Sequence, residues 1–169
     1  MATTLLLLDL QRGRLEAPRP VPGAARLIRV AAELLERARA AGVAVVHVRH
    51  DGGEGEPDAP GTPGWELYHP VVAGEHILDC TAADAFAGTD LGVLIPPRST
   101  VVTAGLASDV RVRATVLAGV RQGYEMRLVR GAHAAYDGGG RSADEITARV
   151  ELELEAAGAK LVNPHGRLF

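Results

Sequence analysis

Asp9 closes a run of four leucines, Leu5 to Leu8, at the end of an apolar segment. A carboxylate placed there is costly to bury unless it is paired or used in chemistry. Its plain alternative is a cap on a turn or helix. Arg111 falls in the first turn of a predicted helix, where the backbone dipole favours anions over cations. A residue that breaks a local rule at a strand-to-helix edge points to function; the alternative is a solvated surface arginine. Arg113 repeats the anomaly on another face of the helix. Cys80 is the only thiol and ends a short apolar run. It reads either as a small buried hydrophobe or as a nucleophile, and the second needs an electropositive neighbour. His47 and His50 stand three apart with no aspartate at ligand spacing, and His69, His76, His133 and His165 are scattered. No metal site is expected, and no cofactor. Gly138–Gly140 lacks the spacing of a phosphate-binding fingerprint and reads as a flexible loop.

Strands and helices must carry these residues to one place. Apolar runs of strand length occur at Thr4–Asp9, Val43–Arg49, His76–Cys80, Thr100–Ala104, Glu125–Arg130 and Lys160–Val162. Most are nearly continuous in Val, Leu and Ile, which is the pattern of strands covered on both faces. Leu27, Val30, Ala31, Leu34, Leu35 and Ala38 recur at helical spacing, and the helix should end near Gly42. A second helix is predicted from Ser108, as N-cap, to Gly123. A third runs from Ser142 to Ala157, with Glu145 as capping-box partner and Gly158 as its stop. The alternation predicts an α/β fold: a doubly wound, mostly parallel six-stranded sheet with helices on both faces, three layers in a Rossmann-like arrangement. Asp51–Gly64 holds five Gly and three Pro in fourteen residues. It reads as a long loop of the kind that covers active sites.

The 169 residues, 47% hydrophobic and 23% charged, predict one globular domain over residues 1–169 rather than a disordered chain. One cysteine excludes an internal disulfide, and a net charge of −3 gives no reason to expect a nucleic-acid partner. No apolar stretch is long enough to span a bilayer, so no membrane association is expected, and the expected location is cytoplasmic. In an open parallel sheet the ligand lies beyond the carboxyl ends of the strands. That singles out Asp9 and Gln11, Arg49 and His50, Cys80, Gly105 to Arg111, and His133 and Tyr136. Trp65, set among Pro and Gly, is a candidate wall or subunit-contact residue.

The segments "LLLLDLQ", "VAVVHVRHD", "PGTPGWELYHPV", "DAFAGTDLGVLI" and "VVTAGLASDVRVRATVLAGVRQGYEMRLVRGAHAAYD" together resemble the isochorismatase-like superfamily, which includes cysteine hydrolases such as nicotinamidases. The resemblance covers nearly the whole chain. It implies a catalytic aspartate, a lysine and a cysteine nucleophile beside a cis peptide that helps form an oxyanion hole. Carried over by position, the aspartate is Asp9, the lysine position holds Cys80, and the nucleophile position holds Arg111. The cis peptide would be Leu106–Ala107, with the amides of Ala107 and Arg111 as oxyanion donors. The nicotinamidase metal motif after the second strand is missing.

Three readings follow from these two substitutions. In one, the protein is an isochorismatase-family hydrolase-like enzyme in which Asp9 does acid–base chemistry and Arg111 clamps an anionic substrate. In another, charge and thiol have exchanged places, and Cys80 attacks with Asp9 as base and Arg111 as supporting cation. In the last, catalysis is lost and the fold serves as a ligand-binding or assembly protein. Gln11, Arg49, His50, Trp65 and Tyr136 are candidate substrate contacts. The expected partner is a small molecule carrying a carboxylate or other anion. Relatives of this kind are commonly oligomers, so a homo-oligomer, dimer or tetramer, is expected.

Overall fold

A computed structural model describes residues 1–169. The chain runs β1 (Thr3–Leu8), α1 (Arg12–Leu15), α2 (Ala24–Ala40), β2 (Ala44–His50), a 3-10 turn at Pro63–Trp65, β3 (His76–Cys80) and α3 (Leu91–Leu94). It continues through β4 (Thr100–Leu106), a wide π turn at Ser108–Val112, α4 (Arg113–Arg121), β5 (Glu125–Ala134), α5 (Ala143–Ala156) and β6 (Lys160–Val162). The six strands form one sheet in the order β3-β2-β1-β4-β5-β6, and every neighbouring pair is parallel.

Side chains alternate across a strand, so β1 feeds two cores. Leu5 and Leu7 pack with the apolar stripe of α2, from Leu27 to Ala38. Leu6 and Leu8 pack on the opposite face with Val112 and Val116, and with Val150 and Leu154 of α5. Helices therefore cover both faces, as the near-continuous apolar strands required. The connections diverge between β1 and β4, which opens a crevice beyond their carboxyl ends. Asp9 follows β1 and the π turn follows β4, so both stand at that crevice.

The capping box at α5 forms from both sides: Glu145 N–H donates to Ser142 Oγ at 3.2 Å, and Ser142 N–H donates to Glu145 Oε2 at 3.1 Å. Ser108 behaves otherwise than expected. It is the first residue of the π turn, not a cap, and its hydroxyl lies against His133 instead. The α-helix starts only at Arg113. β4 and β5 also run past their expected ends, to Leu106 and Ala134, with a register irregularity between Thr103 and Gly105.

Glu75, before β3, ties the sheet to α2. It accepts hydrogen bonds from Arg39 Nε at 2.7 Å and from Val72 N–H at 3.2 Å, and lies 2.9 Å from His47 Nε2. Burial pushes its carboxyl up, but the bonds from Arg39, His47 and Val72 outweigh this and hold it at about 2. That depressed value contributes stability above the ordinary 4.5, and the contribution disappears as pH falls towards 2. Glu75→Ala is expected to cost about 2 kcal/mol at pH 7, between the cost for an exposed and a buried pair. Urea denaturation at pH 7 and pH 3 checks this, and the gap from wild type should narrow at the lower pH.

Candidate active site

Asp9 leaves β1 in the left-handed backbone region, at φ 53°. An aspartate tolerates this better than most residues. Its N–H donates to Val48 O at 2.9 Å, which holds the bend against β2. Gln11 fixes the same corner. Its Nε2 donates to His50 O and Trp65 O at 2.9 and 3.0 Å, and its Oε1 accepts from His50 N–H at 2.9 Å.

Arg111 reaches from the π turn across the sheet ends. Nε donates to Asp9 Oδ2 at 2.7 Å, Nη1 to Cys80 Sγ at 3.0 Å and to the Ala82 carbonyl, and Nη2 to His50 Nδ1 at 2.8 Å and Cys80 O at 3.2 Å. These five contacts use all five donors of a guanidinium. Burial opposes the charge on Arg111, yet Asp9 and Cys80 beside it hold the guanidinium above its ordinary pKa. Asp9 is pushed up to about 7 by burial, against the pull of Arg111; Asp58 adds to the rise and Arg14 opposes it. The other carboxyl oxygen of Asp9, Oδ1, is buried without a partner. A half-satisfied buried carboxylate favours its protonated form, which agrees with that direction.

Asp9 and Arg111 line a cavity of about 330 Å³ together with His50, Leu106, Ala107, Tyr136, Arg14, Asp58, Thr81, Ala83 and Val110. The Leu106–Ala107 peptide is cis, and the Ala107 N–H makes no hydrogen bond. Because Arg111 only donates, His50 Nδ1 must accept, which leaves a ring proton on Nε2. The cavity wall thus holds a carboxyl, a ring N–H and a free backbone N–H.

The geometry corrects several expectations. Gln11 is fully buried and spends its amide on backbone, so it shapes the site without lining the cavity. Arg49 pairs with Asp79 at 2.7 Å and stacks on Trp65 with its Cζ 3.4 Å from the ring centroid. Trp65 Nε1 donates to Asp51 Oδ1 at 2.8 Å. That pair stands outside the cavity. Arg111 has no donor left to clamp an anion, which removes the basis for an anionic substrate at that residue. Cys80 is buried, its thiol faces Ala82 O at 3.3 Å, and the guanidinium of Arg111 bridges it to Asp9. The sulfur has no contact with the carboxylate that would have to deprotonate it, and Cys80 is not part of the cavity wall.

Arg14 and Asp58 were not singled out from the sequence. Arg14 Nη2 donates to Asp58 Oδ1 at 3.1 Å and seats the long loop over the site. The fit is close: a Cβ on Gly64 would meet Pro57 O at 1.9 Å. Arg14 carried a weak signal, five residues after Asp9 on the same strand exit. Asp58 carried none, because its partner is 44 residues away.

The sequence matches the family profile described as "Isochorismatase domain" over residues 3–153. It is 42% identical over 137 residues to a streptothricin hydrolase of Streptomyces noursei, covering 79% of this chain and 50% of that protein. A second streptothricin hydrolase of the same organism matches at the same identity over 54% of its length. The chain therefore spans about half the length of the curated relatives it matches. Among solved structures, an isochorismatase from Pseudomonas putida KT2440 superposes with a TM-score of 0.88 at 24% identity, covering 96% of this chain and 88% of that one. N-carbamoylsarcosine amidase from Thermoplasma acidophilum superposes with a TM-score of 0.82 at 23% identity, covering 98% of both chains.

Proposed function

The chain belongs to the isochorismatase family, and from that premise we propose that it hydrolyses a small carbonyl compound with Asp9, not a thiol, handling the proton. The observation that carries this reading is the pairing of Asp9 with Arg111. Arg111, which the resemblance sets at the family's nucleophile position, is the cation that pairs with Asp9, at 2.7 Å. Water then supplies the oxygen. The ionised Asp9 takes a proton from water as its oxygen adds to the carbonyl carbon. The carbonyl oxygen gains negative charge and accepts from the Ala107 N–H and His50 Nε2–H. The tetrahedral adduct collapses as Asp9 returns the proton to the leaving nitrogen or oxygen. Two products form, and the enzyme is regenerated with its proton count unchanged. The name of the curated relatives, streptothricin hydrolase, makes streptothricin the first substrate to test.

The test is turnover of streptothricin and simple amides in 18O-labelled water, in wild type, Cys80→Ala and Asp9→Asn. One labelled oxygen is expected in the acid product, with activity kept in Cys80→Ala and lost in Asp9→Asn. Activity lost in Cys80→Ala, with a covalent adduct on the wild-type thiol, would overturn the reading in favour of the exchanged nucleophile. Tight binding without turnover would favour a ligand-binding protein.

A further inference from the structure

Ser108 follows directly on the cis Leu106–Ala107 peptide and has no exposed surface. It lies three residues before Arg111. Its Oγ is 2.8 Å from His133 Nδ1 near the end of β5. His133 Nε2 is in turn 3.0 Å from Glu151 Oε1 on α5. The hydrogen bond from His133 holds the Glu151 carboxyl below its ordinary range, against burial. An ionised carboxylate only accepts, so Nε2 carries a proton and donates. With that tautomer Nδ1 accepts, and the Ser108 hydroxyl donates to it.

The order Ser, His, Glu is that of a nucleophile, its base and an orienting carboxylate. Burial excludes that use here. Ser108 has no exposed surface and is absent from the cavity wall, so no substrate reaches the hydroxyl. The chain joins instead three elements that meet behind the site. The π turn it anchors is closed by Val112 N–H donating to Ala107 O at 3.1 Å, a form rare enough to need support from its surroundings. Arg113, just after the turn, is held to the same helix by Glu153 at 2.8 Å.

We propose that Ser108, His133 and Glu151 are positioning residues that lock the π turn to β5 and α5, and so set the Ala107 N–H and the Arg111 guanidinium against Asp9. The assignment rests on the reading of Asp9 as the working carboxyl, but its test does not need turnover. Asp9 is titrated by carboxyl 13C NMR in wild type, Ser108→Ala, Glu151→Gln and Val30→Ala. Ser108 touches neither Asp9 nor the cavity, and Val30 packs on α2 in the opposite core, as a control for general destabilisation.

Ser108→Ala is expected to raise the Asp9 midpoint by about half a pH unit or more, because Arg111 is no longer held in place to lower it. Glu151→Gln still offers an accepting oxygen to His133 and should titrate as wild type. Val30→Ala should also leave the midpoint in place. An unchanged midpoint in Ser108→Ala, or an equal shift in Val30→Ala, overturns the proposal. So does covalent labelling of Ser108 by a fluorophosphonate, which would make it a nucleophile. Once a substrate is in hand, Ser108→Ala should lower kcat about tenfold with KM within about twofold, as misplacement of catalytic groups does. If wild type has no hydrolytic activity, the proposed function fails while the NMR comparison still decides the positioning role.

Discussion

Asp9→Asn is expected to abolish the proposed hydrolysis, with kcat/KM down by about 10³ or more. The amide cannot take the proton from water, and nothing else on the cavity wall is free to do so. Asp58 is committed to Arg14, and His50 Nδ1 is committed to Arg111. The pH dependence should test the same assignment independently. Asp9 is held at about 7, and in the proposed mechanism its ionised form is the base. Wild-type kcat/KM should therefore rise about tenfold per unit below that midpoint and level off above it. Stability moves the opposite way. The folded-state value lies above the ordinary 3.8, so the native protein binds this proton more tightly than the unfolded chain. Its contribution is complete below 3.8 and is lost as pH rises through about 7. Denaturation of wild type at pH 5 and pH 8 should show that loss, and Asp9→Asn should flatten it. Activity surviving in Asp9→Asn would remove the mechanism. An activity profile falling through neutral pH would instead make Asp9 an acid.

The site was legible in part because its cost was local. A carboxylate after four leucines and an arginine at a helix start are each unfavourable where they stand, and those penalties can be read along the chain. Their relation cannot. Arg111 joins residues 9, 50, 80 and 82, and its partner Asp9 is 102 positions away. No spacing rule shows that one guanidinium would use all its donors on protein, so an anion clamp was the natural expectation. The fold was more legible. β3 and β6 end where their apolar runs end. β4 and β5 run past Ala104 and Arg130, each continuing through a glycine. Gly131 continues a strand at φ 72°, and Gly105, at φ 137°, lets β1 pass so close that a Cβ would meet Leu8 O at 2.1 Å. There glycine serves close approach of two strands rather than a turn. Ser108 had every local mark of a helix cap, and a buried histidine 25 residues away claimed its hydroxyl.

Arg111→Ala should have the largest effect on stability. It removes the partner of a carboxyl whose side chain is 13% exposed, and with it the contacts to Cys80, Ala82 and His50. Breaking one side of a buried ion pair costs about 3–5 kcal/mol, because the remaining charge is stranded in a poor solvent. The stranded group here can escape by taking up a proton, since burial alone already pushes Asp9 upward and Arg111 is the main opposing force. The penalty should therefore depend on pH. At pH 5, where Asp9 is mostly protonated in the wild type as well, it should fall to about 2 kcal/mol, the cost of the unmade hydrogen bonds. At pH 8 it should reach the full value. Guanidinium denaturation of both proteins at the two pH values tests this, and an equal penalty at both would mean that Asp9 does not change charge in that range. Arg111→Lys separates charge from shape. A lysine keeps the cation but replaces a planar fork with a point charge and so cannot bridge Asp9, His50 and Cys80 together. It should recover stability at pH 8 in part, while hydrolysis stays depressed, because the carboxyl would be neutralised without being aimed.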